Sequence, residues 1–422
     1  MPNPIANAVL AKGLGAFVDR ARMIAQRYSL TPATMARALA QFADILGRYS
    51  CGATFPTTAI AVQRHPQVIP HYQEQGIEFC VHGYTHIDYA DVSPEVQREH
   101  LVRARDIFAQ AGIATRGFRS PYLRRNAHLN TAIREAGFEY VSNQPVLWNI
   151  VDTATLEPDA RMRYERAHAY YAGWNADQRV VTPRLLENGL IEIPVSLPDD
   201  EILMDRLNSA PDGLIVQAWP DMLKQSYARG ELFTLQLHPE RTLICAQGLV
   251  ATLDLARRMQ PEVWCARLDE IAAWWEARAE AAITLDETAP GEYHITLIGP
   301  ERLALQVGRV IYPVTTHTLT LKSARRPCIA ATPRTAATLI AFLREQGYIV
   351  EVNAQTDDYA YVIDQPTFAE ETERTLMATL EAVPEALLRL SRWPDGCQSA
   401  LAITGDIDAF TLFDYALRFA GR

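Results

Sequence analysis

The sequence is poor in cysteine and lacks any cysteine pairing pattern. Cys51, Cys80, Cys245, Cys265, Cys328 and Cys397 lie far apart with no CxxC pair, which argues against a thiolate zinc site and against a disulfide framework. Buried, reduced thiols are the expected state. A dense Lys/Arg stripe with interleaved aromatics is also missing, and the formal charge of −10 makes duplex nucleic acid a poor partner. No segment offers the roughly 18 apolar residues of a membrane span. The N-terminus MPNPIANAVLAKGLGAF has no basic region followed by an apolar run and a cleavage site, so a cytoplasmic protein is expected. Internal repeats and low-complexity tracts are absent as well.

What is present is an ordinary globular composition, 48% hydrophobic and 21% charged, in a chain of 422 residues. That length suits a main domain of about 250 residues and a smaller one. After an N-terminal helix, Thr31 to Tyr49 reads as a second helix, with Thr31 as cap, Pro32 in its first position and Met35, Leu39, Phe42 and Leu46 as its apolar face. A strand GATF follows, then a helix through VQRHPQVIPHYQEQG closed by Gly76, and a strand IEFCV running into HGYTH. Next come a helix Ser93 to Ala111, a strand TRGF, a helix Asn130 to Ala136 and a strand FEYVS. Further on stand an apolar element LIVQAW, a helix, the strand LFTLQL ending at His238, a helix near Gly248 to Arg258 and a closing helix LDEIAAWWEARAEA. Helices alternating with short apolar strands, with polar residues gathered just past strand ends, predict a mostly parallel sheet or barrel with a site at its C-terminal rim. From about residue 283 the alternating runs YHITLIG, RLALQV and HTLTLK indicate a small β-rich unit. It continues into the helix AATLIAFLREQ, the strand YIVEV, another helix and a Pro/Gly link, SRWPDG. The last segment, SALAITGDIDAFTLFDYALRF, reads as strand, polar turn and helix.

Three features carry chemistry. The i, i+4 spacing of His82 and His86 places both imidazoles on one face of a helical turn, where they can share one metal ion. Arg119 in RSPY (119–122) follows a strand, and its permanent forked charge can orient a carboxylate, with Pro121 stiffening the turn. His238 ends LFTLQLH, a strand-end position that suits general acid chemistry because imidazole titrates near neutrality. Taken singly, each has a plainer reading: two capping histidines, a structural salt bridge and a loop histidine.

The order of these elements is more specific than any one of them. ATFP, RHP, HGYTH, FRSPY and a strand ending LQLH, over residues 31 to 280, resemble the NodB-homology polysaccharide deacetylases, the family 4 carbohydrate esterases. One piece of that pattern is missing upstream of Thr31: a strand bearing paired aspartates. The candidate lies at the opposite end, in ALAITGDIDAF, where Asp406 and Asp408 follow an apolar strand. The chain therefore looks like a circular permutation of the family, in which the C-terminal strand slots beside GATF; domain termini are often close enough for this. Separated by Ile407, the two carboxylates point to the same side of an extended segment. The Asp-x-Asp form is similar to that of the aminoarabinose-lipid deformylases.

The resemblance implies an α/β fold, a NodB-type distorted (β/α) barrel, circularly permuted, with an inserted smaller α+β domain. The corresponding division is residues 1–30 as a helical lead-in, 31–282 as the main part, 283–392 as the smaller domain and 393–422 as the completing strand and helix. It implies a metal-dependent amide hydrolase that removes an acyl group, acetyl in most of the family, from an N-acylated sugar or glycan. His82, His86 and Asp408 would hold one divalent ion; zinc suits these ligands, and iron, cobalt and manganese are compatible. Asp406 would be general base, with the reverse assignment to Asp408 open, and Arg119 would hold it. The backbone N–H of Tyr122 would serve the oxyanion and His238 would protonate the amine. Two positions depart from the family: Gln236 stands where a leucine usually meets the acyl methyl, and the aspartate-tryptophan motif that orients the acid histidine is only loosely echoed by Trp148 and Asp152. The alternatives are a catalytically silent carbohydrate-binding relative, a DxD glycosyltransferase, in which the histidines have no role, and a homodimer that swaps the C-terminal strand.

Overall fold

The computed structural model describes residues 27–207, 213–308, 310–313, 318–384 and 387–417. Most of the expected N-terminal lead-in, residues 1–26, lies outside them. The first full helix, α1 (Ala33–Tyr49), buries Met35, Leu39, Phe42 and Leu46, the expected face. Thr31 does not cap it: the helix begins one turn position later, with Pro32 at the cap, and the Pro32 carbonyl accepts from Ala36 N–H at 2.8 Å.

Nine strands build the principal layer around the site: β1 (Ala53–Thr57), β2 (Ile77–Val81), β3 (Gly117–Phe118), β4 (Tyr140–Val141), β5 (Pro145–Leu147), β6 (Val195–Leu197), β7 (Leu232–Leu237), β8 (Val263–Cys265) and β9 (Ser399–Gly405). The order β7-β9-β1-β2-β3-β4 is parallel throughout. β9 is the last strand among the described residues, yet it sits between β7 and β1, with Gln236 beside Thr404 and Thr54 also beside Thr404. β8 runs alongside the first half of β9. β5 pairs with β6 in a separate parallel sheet, and β6 packs against β7, so the whole layer curls toward closure as a distorted barrel. An antiparallel edge, Arg184–Leu185 against Ile191–Glu192, finishes the β4 side.

Alternation along the strands divides the interior in two. Phe55, Phe79, Leu235, Leu401 and Ile403 face outward and join Phe42 and Leu249 of the surrounding helices in the main core. Cys80, Tyr140, Ala400 and Ala402 face inward and meet Leu268, Ile271 and Trp275 of the helix Leu268–Ala279, together with Trp393. That helix packs against the end of the layer where the strands begin, its Leu268 N–H donating to Thr54 Oγ1 at 2.8 Å. All seven residues of β9 are buried, so the layer depends on the C-terminal strand.

Two stretches differ from expectation. The helix foreseen through VQRHPQVIPHYQEQG is broken into Ala59–Arg64 and Pro70–Gln73, because Pro66 and Pro70 lack the N–H needed to carry it across. LIVQAW is not an element apart from the helix after it: Leu214 caps the helix Ile215–Ala228 and the rest of the run opens it. Beyond residue 281 three small sheets follow, two antiparallel and one parallel with the helix Ala337–Glu345 behind it. Arg374 to Glu231 (2.5 Å) and Arg184 to Glu373 (2.6 Å) tie these later elements to the barrel. The chain then returns, and its last described helix, Leu412–Leu417, meets the beginning: Leu412 N–H donates to Ser29 at 2.9 Å, and the Tyr28 and Tyr415 rings lie 5.2 Å apart. All six cysteines are free thiols. Among the described residues, no helix is long and apolar enough to cross a membrane.

Candidate metal centre and acid–base pair

In a parallel layer every strand points its carboxyl end the same way, so the first residues past those ends share one rim. Here they are His82 after β2, Arg119 after β3, Ser142 after β4, His238 after β7 and Asp406 after β9. The registers bring them level: Val81 lies opposite Phe118, Phe118 opposite Val141, and Leu237 opposite Gly405. His238 and Asp406 therefore sit on adjacent strands, a spacing of about 4.8 Å.

His82, His86 and Asp408 converge, their ligand-type atoms all within 4.8 Å of one another. His82 Nε2 is 3.5 Å and His86 Nε2 3.2 Å from the same Asp408 Oδ1. For a tetrahedral ion with ligand bonds of about 2.1 Å, ligand atoms stand roughly 3.4 Å apart. The donor set thus fits a divalent cation. The tautomer fits too: His82 Nδ1 lies 2.9 Å from the Arg119 carbonyl, to which it donates, leaving Nε2 with its lone pair toward Asp408. The pair is not on a helical turn as its spacing suggested. Residues 82–88 form an irregular loop in which Gly83 adopts φ 81°, and a Cβ there would come within 2.9 Å of the Tyr89 ring. The loop, not a helix, turns His86 back toward His82, ring centroids 5.2 Å apart.

Asp406, the other carboxylate of the turn, is 2% exposed and bonded to Arg119, whose Nη1 donates to Asp406 Oδ1 at 2.7 Å. Arg119 is fully buried, and its remaining donors reach Thr404 Oγ1 (2.8 Å), Ser142 Oγ (2.8 Å) and the Ser142 carbonyl (3.2 Å). Such a fork fixes one carboxylate oxygen and leaves the other for chemistry. Ile407 between the aspartates pairs with Thr57 and donates to the Pro56 carbonyl at 2.7 Å, so the turn is extended and both carboxylates face the rim. Tyr122 and Leu123 are left-handed, with φ 60° and 55°, a conformation costly for such side chains and common at functional turns. The Tyr122 ring stands edge-on to His86 at 4.6 Å.

His238 is partnered by a residue that the sequence reading missed. Its Nδ1 lies 2.9 Å from Asp200 Oδ1, and its own backbone N–H donates to Asp200 Oδ2 at 3.2 Å. Burial alone would lower the imidazole pKa, but the charge and hydrogen bond of Asp200 outweigh it and raise the pKa well above its ordinary value. Asp200, against its own burial, is held down to about 2 by His238 and Arg241. Burial and the charge of Asp200 push neighbouring Asp199 up to about 7. Trp148 and Asp152 do not fill this role: Trp148 is buried with Nε1 on Ser196 Oγ at 3.1 Å, and exposed Asp152 accepts from Ala154 N–H at 3.0 Å in a local turn. Asp200 was open to discovery as the second acid of LPDD directly after a strand end. Gln236, two residues before His238 on the same strand face, is 6% exposed, and its Oε1 is buried without a partner.

The family model for polysaccharide deacetylases matches residues 22–141, the stretch that holds His82, His86, Arg119 and Tyr122. Among solved structures the chain is similar to Puue allantoinase, at 20% identity and a TM-score of 0.44, over 57% of this chain and 72% of that one. A structure described as a probable polysaccharide deacetylase from Pseudomonas aeruginosa PAO1 gives the same four values. A family 4 carbohydrate esterase from Streptomyces lividans, in complex with acetate, is 16% identical, with a TM-score of 0.31 over 51% of this chain and 81% of that one. No curated protein matches the chain.

Proposed function

We propose that the chain, whose residues 22–141 match the polysaccharide deacetylase family model, is a metal-dependent deacylase of N-acylated sugars whose barrel is circularly permuted. The observation that carries the reading is the convergence on one rim of His82, His86 and Asp408, the Asp406–Arg119 pair and the His238–Asp200 pair. The central, buried position of β9 and the contact of Leu412 with Ser29 support the permutation, because they bring the first and last described segments together where an unpermuted chain would be continuous. One chain supplies the whole constellation, so no strand exchange between subunits is needed.

His82, His86 and Asp408 would hold the divalent ion, zinc by donor type. When bound, such an ion supplies Lewis acidity at the scissile carbonyl and lowers the pKa of a water. Asp406, positioned by Arg119, would accept a proton from the attacking water as the water oxygen bonds to the carbonyl carbon. The Tyr122 N–H donates to the oxyanion that forms. His238, kept cationic by Asp200, delivers its proton to the nitrogen as the C–N bond breaks, releasing carboxylic acid and amine. Asp200 and His238 work as a pair: without the carboxylate, burial would leave the imidazole neutral and unable to donate.

Release of acid from a panel of N-acylated sugars, with and without added divalent metal, tests the reading. Metal-dependent release that disappears in Asp406→Asn supports it. A metal-loaded protein with no activity on any member would favour the silent carbohydrate-binding relative.

A further inference from the structure

Far from the rim, a cavity of about 250 Å³ is lined by Arg229, Gln306, Glu381, Arg389, Arg392 and Trp393. Arg389 and Arg392 are only 5% and 4% exposed, and a third buried guanidinium, Arg278, lies against the same chain segment. Their hydrogen-bond partners are neutral. Arg392 donates to Gln346 Oε1 (3.0 Å) and to the Arg229 and Gly230 carbonyls (3.0 and 3.2 Å). Arg278 donates to the carbonyls of Ser391 (2.8 Å) and Glu345 (2.9 Å), and Arg389 to Gln306 Oε1 (3.0 Å).

Carboxylates are scarce by comparison. Glu381 stands 3.8 Å from Arg389, Glu231 is bonded to Arg374 at 2.5 Å, and among the described residues neither Arg278 nor Arg392 has an ion pair. Arg229 is already matched by Asp177 at 2.7 Å. The helix ends at Arg229 and Glu345 supply partial negative charge, about half a unit each. That leaves an excess of buried positive charge, and it registers in the groups themselves. Burial, then repulsion from Arg392 and Arg389, brings Arg278 down to about 9; burial and Arg389 bring Arg392 down to about 10. Arg389 Nη1 is buried without a partner. Buried charge left unmatched is costly, and an anion in the cavity would relieve it.

We propose that this cavity is a binding site for the phosphate group of a small phosphorylated molecule, held by Arg389 and Arg392. Guanidinium forks match phosphate oxygens in pairs. The cavity exceeds what one oxyanion needs, given that a water occupies about 30 Å³, so it has room for a sugar-sized remainder. The site rests on no step of the deacylase reading.

Calorimetric titration at constant ionic strength, set with chloride, tests it, using inorganic phosphate, glucose 6-phosphate and glucose. Saturable binding of both phosphates and none of glucose is expected; a tighter sugar phosphate assigns the site to a phosphate ester, and equal affinities assign it to free phosphate. Arg389→Gln should weaken phosphate binding at least about tenfold, the worth of a hydrogen bond to a charged group. Glu381→Gln, at a more exposed position, should tighten it several-fold, and it decides the matter if Arg389→Gln does not fold. No phosphate binding to the unaltered protein, or affinities unchanged in the variants, would overturn the proposal.

Discussion

Replacing Asp200 by Asn keeps its shape but removes the charge on which His238 depends. In the native arrangement that charge, with a 2.9 Å hydrogen bond, raises the imidazole pKa against burial. Without it, burial and the nearby Arg241 cation act downward, opposed only by the weaker pull of Glu240, so the imidazole would be neutral where the proposed mechanism needs an acid. Two unit charges about 4 Å apart at an effective dielectric of about 20 interact by about 4 kcal/mol, an upper bound here. At 1.36 kcal/mol per decade this is about a thousandfold, within the 10²–10⁴-fold that general acid catalysis contributes. We expect kcat/KM at mildly alkaline pH to fall by about 10²–10³, with the alkaline limb of the pH profile displaced to lower pH. The stability sign runs the same way. His238 has a raised folded pKa, so its contribution is complete below about pH 6.5, the unfolded value, and is lost as pH rises through the folded one. Asp200→Asn should therefore flatten the decline of Tm with rising pH. An alkaline limb that stays in place, with a loss uniform across pH, would refute the assignment of His238 as the acid.

Asp406→Asn should lower kcat of the proposed reaction by about 10²–10⁴ and leave divalent-metal binding intact, as measured by kinetics beside metal content. Ile403→Ala, in the fully buried centre of β9, should cost about 2–5 kcal/mol, read from the denaturant midpoint; a cost below 1 kcal/mol would mean that the C-terminal strand is peripheral. A chain rearranged so that residues 393–417 precede residue 28 should fold and retain metal binding, because those ends already touch through Leu412 and Ser29. Failure of the rearranged chain to fold would count against the permutation.

How much of this was legible in the sequence depended on the kind of signal. The apolar spacing of α1 and the short runs of β1, β2, β7 and β9 could be read because burial on one or both faces leaves a periodic imprint. The placement of the candidate residues followed from position: His82, Arg119 and His238 all stand one residue past a strand end, and the aspartates missing upstream led to Asp406 and Asp408. What failed was local geometry that spacing cannot encode. His82 and His86 have helical spacing, yet Gly83 and its left-handed φ bring them together in a loop. Asp200 was missed because β6 is only three residues long and gives almost no periodic signal, whereas Trp148 and Asp152, closer to the expected motif, turned out to serve a buried hydrogen bond and a surface turn. The helix break at Pro66 and Pro70 was readable from proline chemistry and was overridden by the apolar pattern around it.

Metal titration of the protein beside Asp408→Asn asks whether the Asp408 carboxylate, just past the C-terminal strand, completes a metal site begun by the histidines of HGYTH. One divalent ion per chain is expected, with a loss of affinity of tenfold or more in the variant, since Asp408 Oδ1 stands 3.5 and 3.2 Å from the two imidazoles. Equal affinity in the two proteins would contradict it.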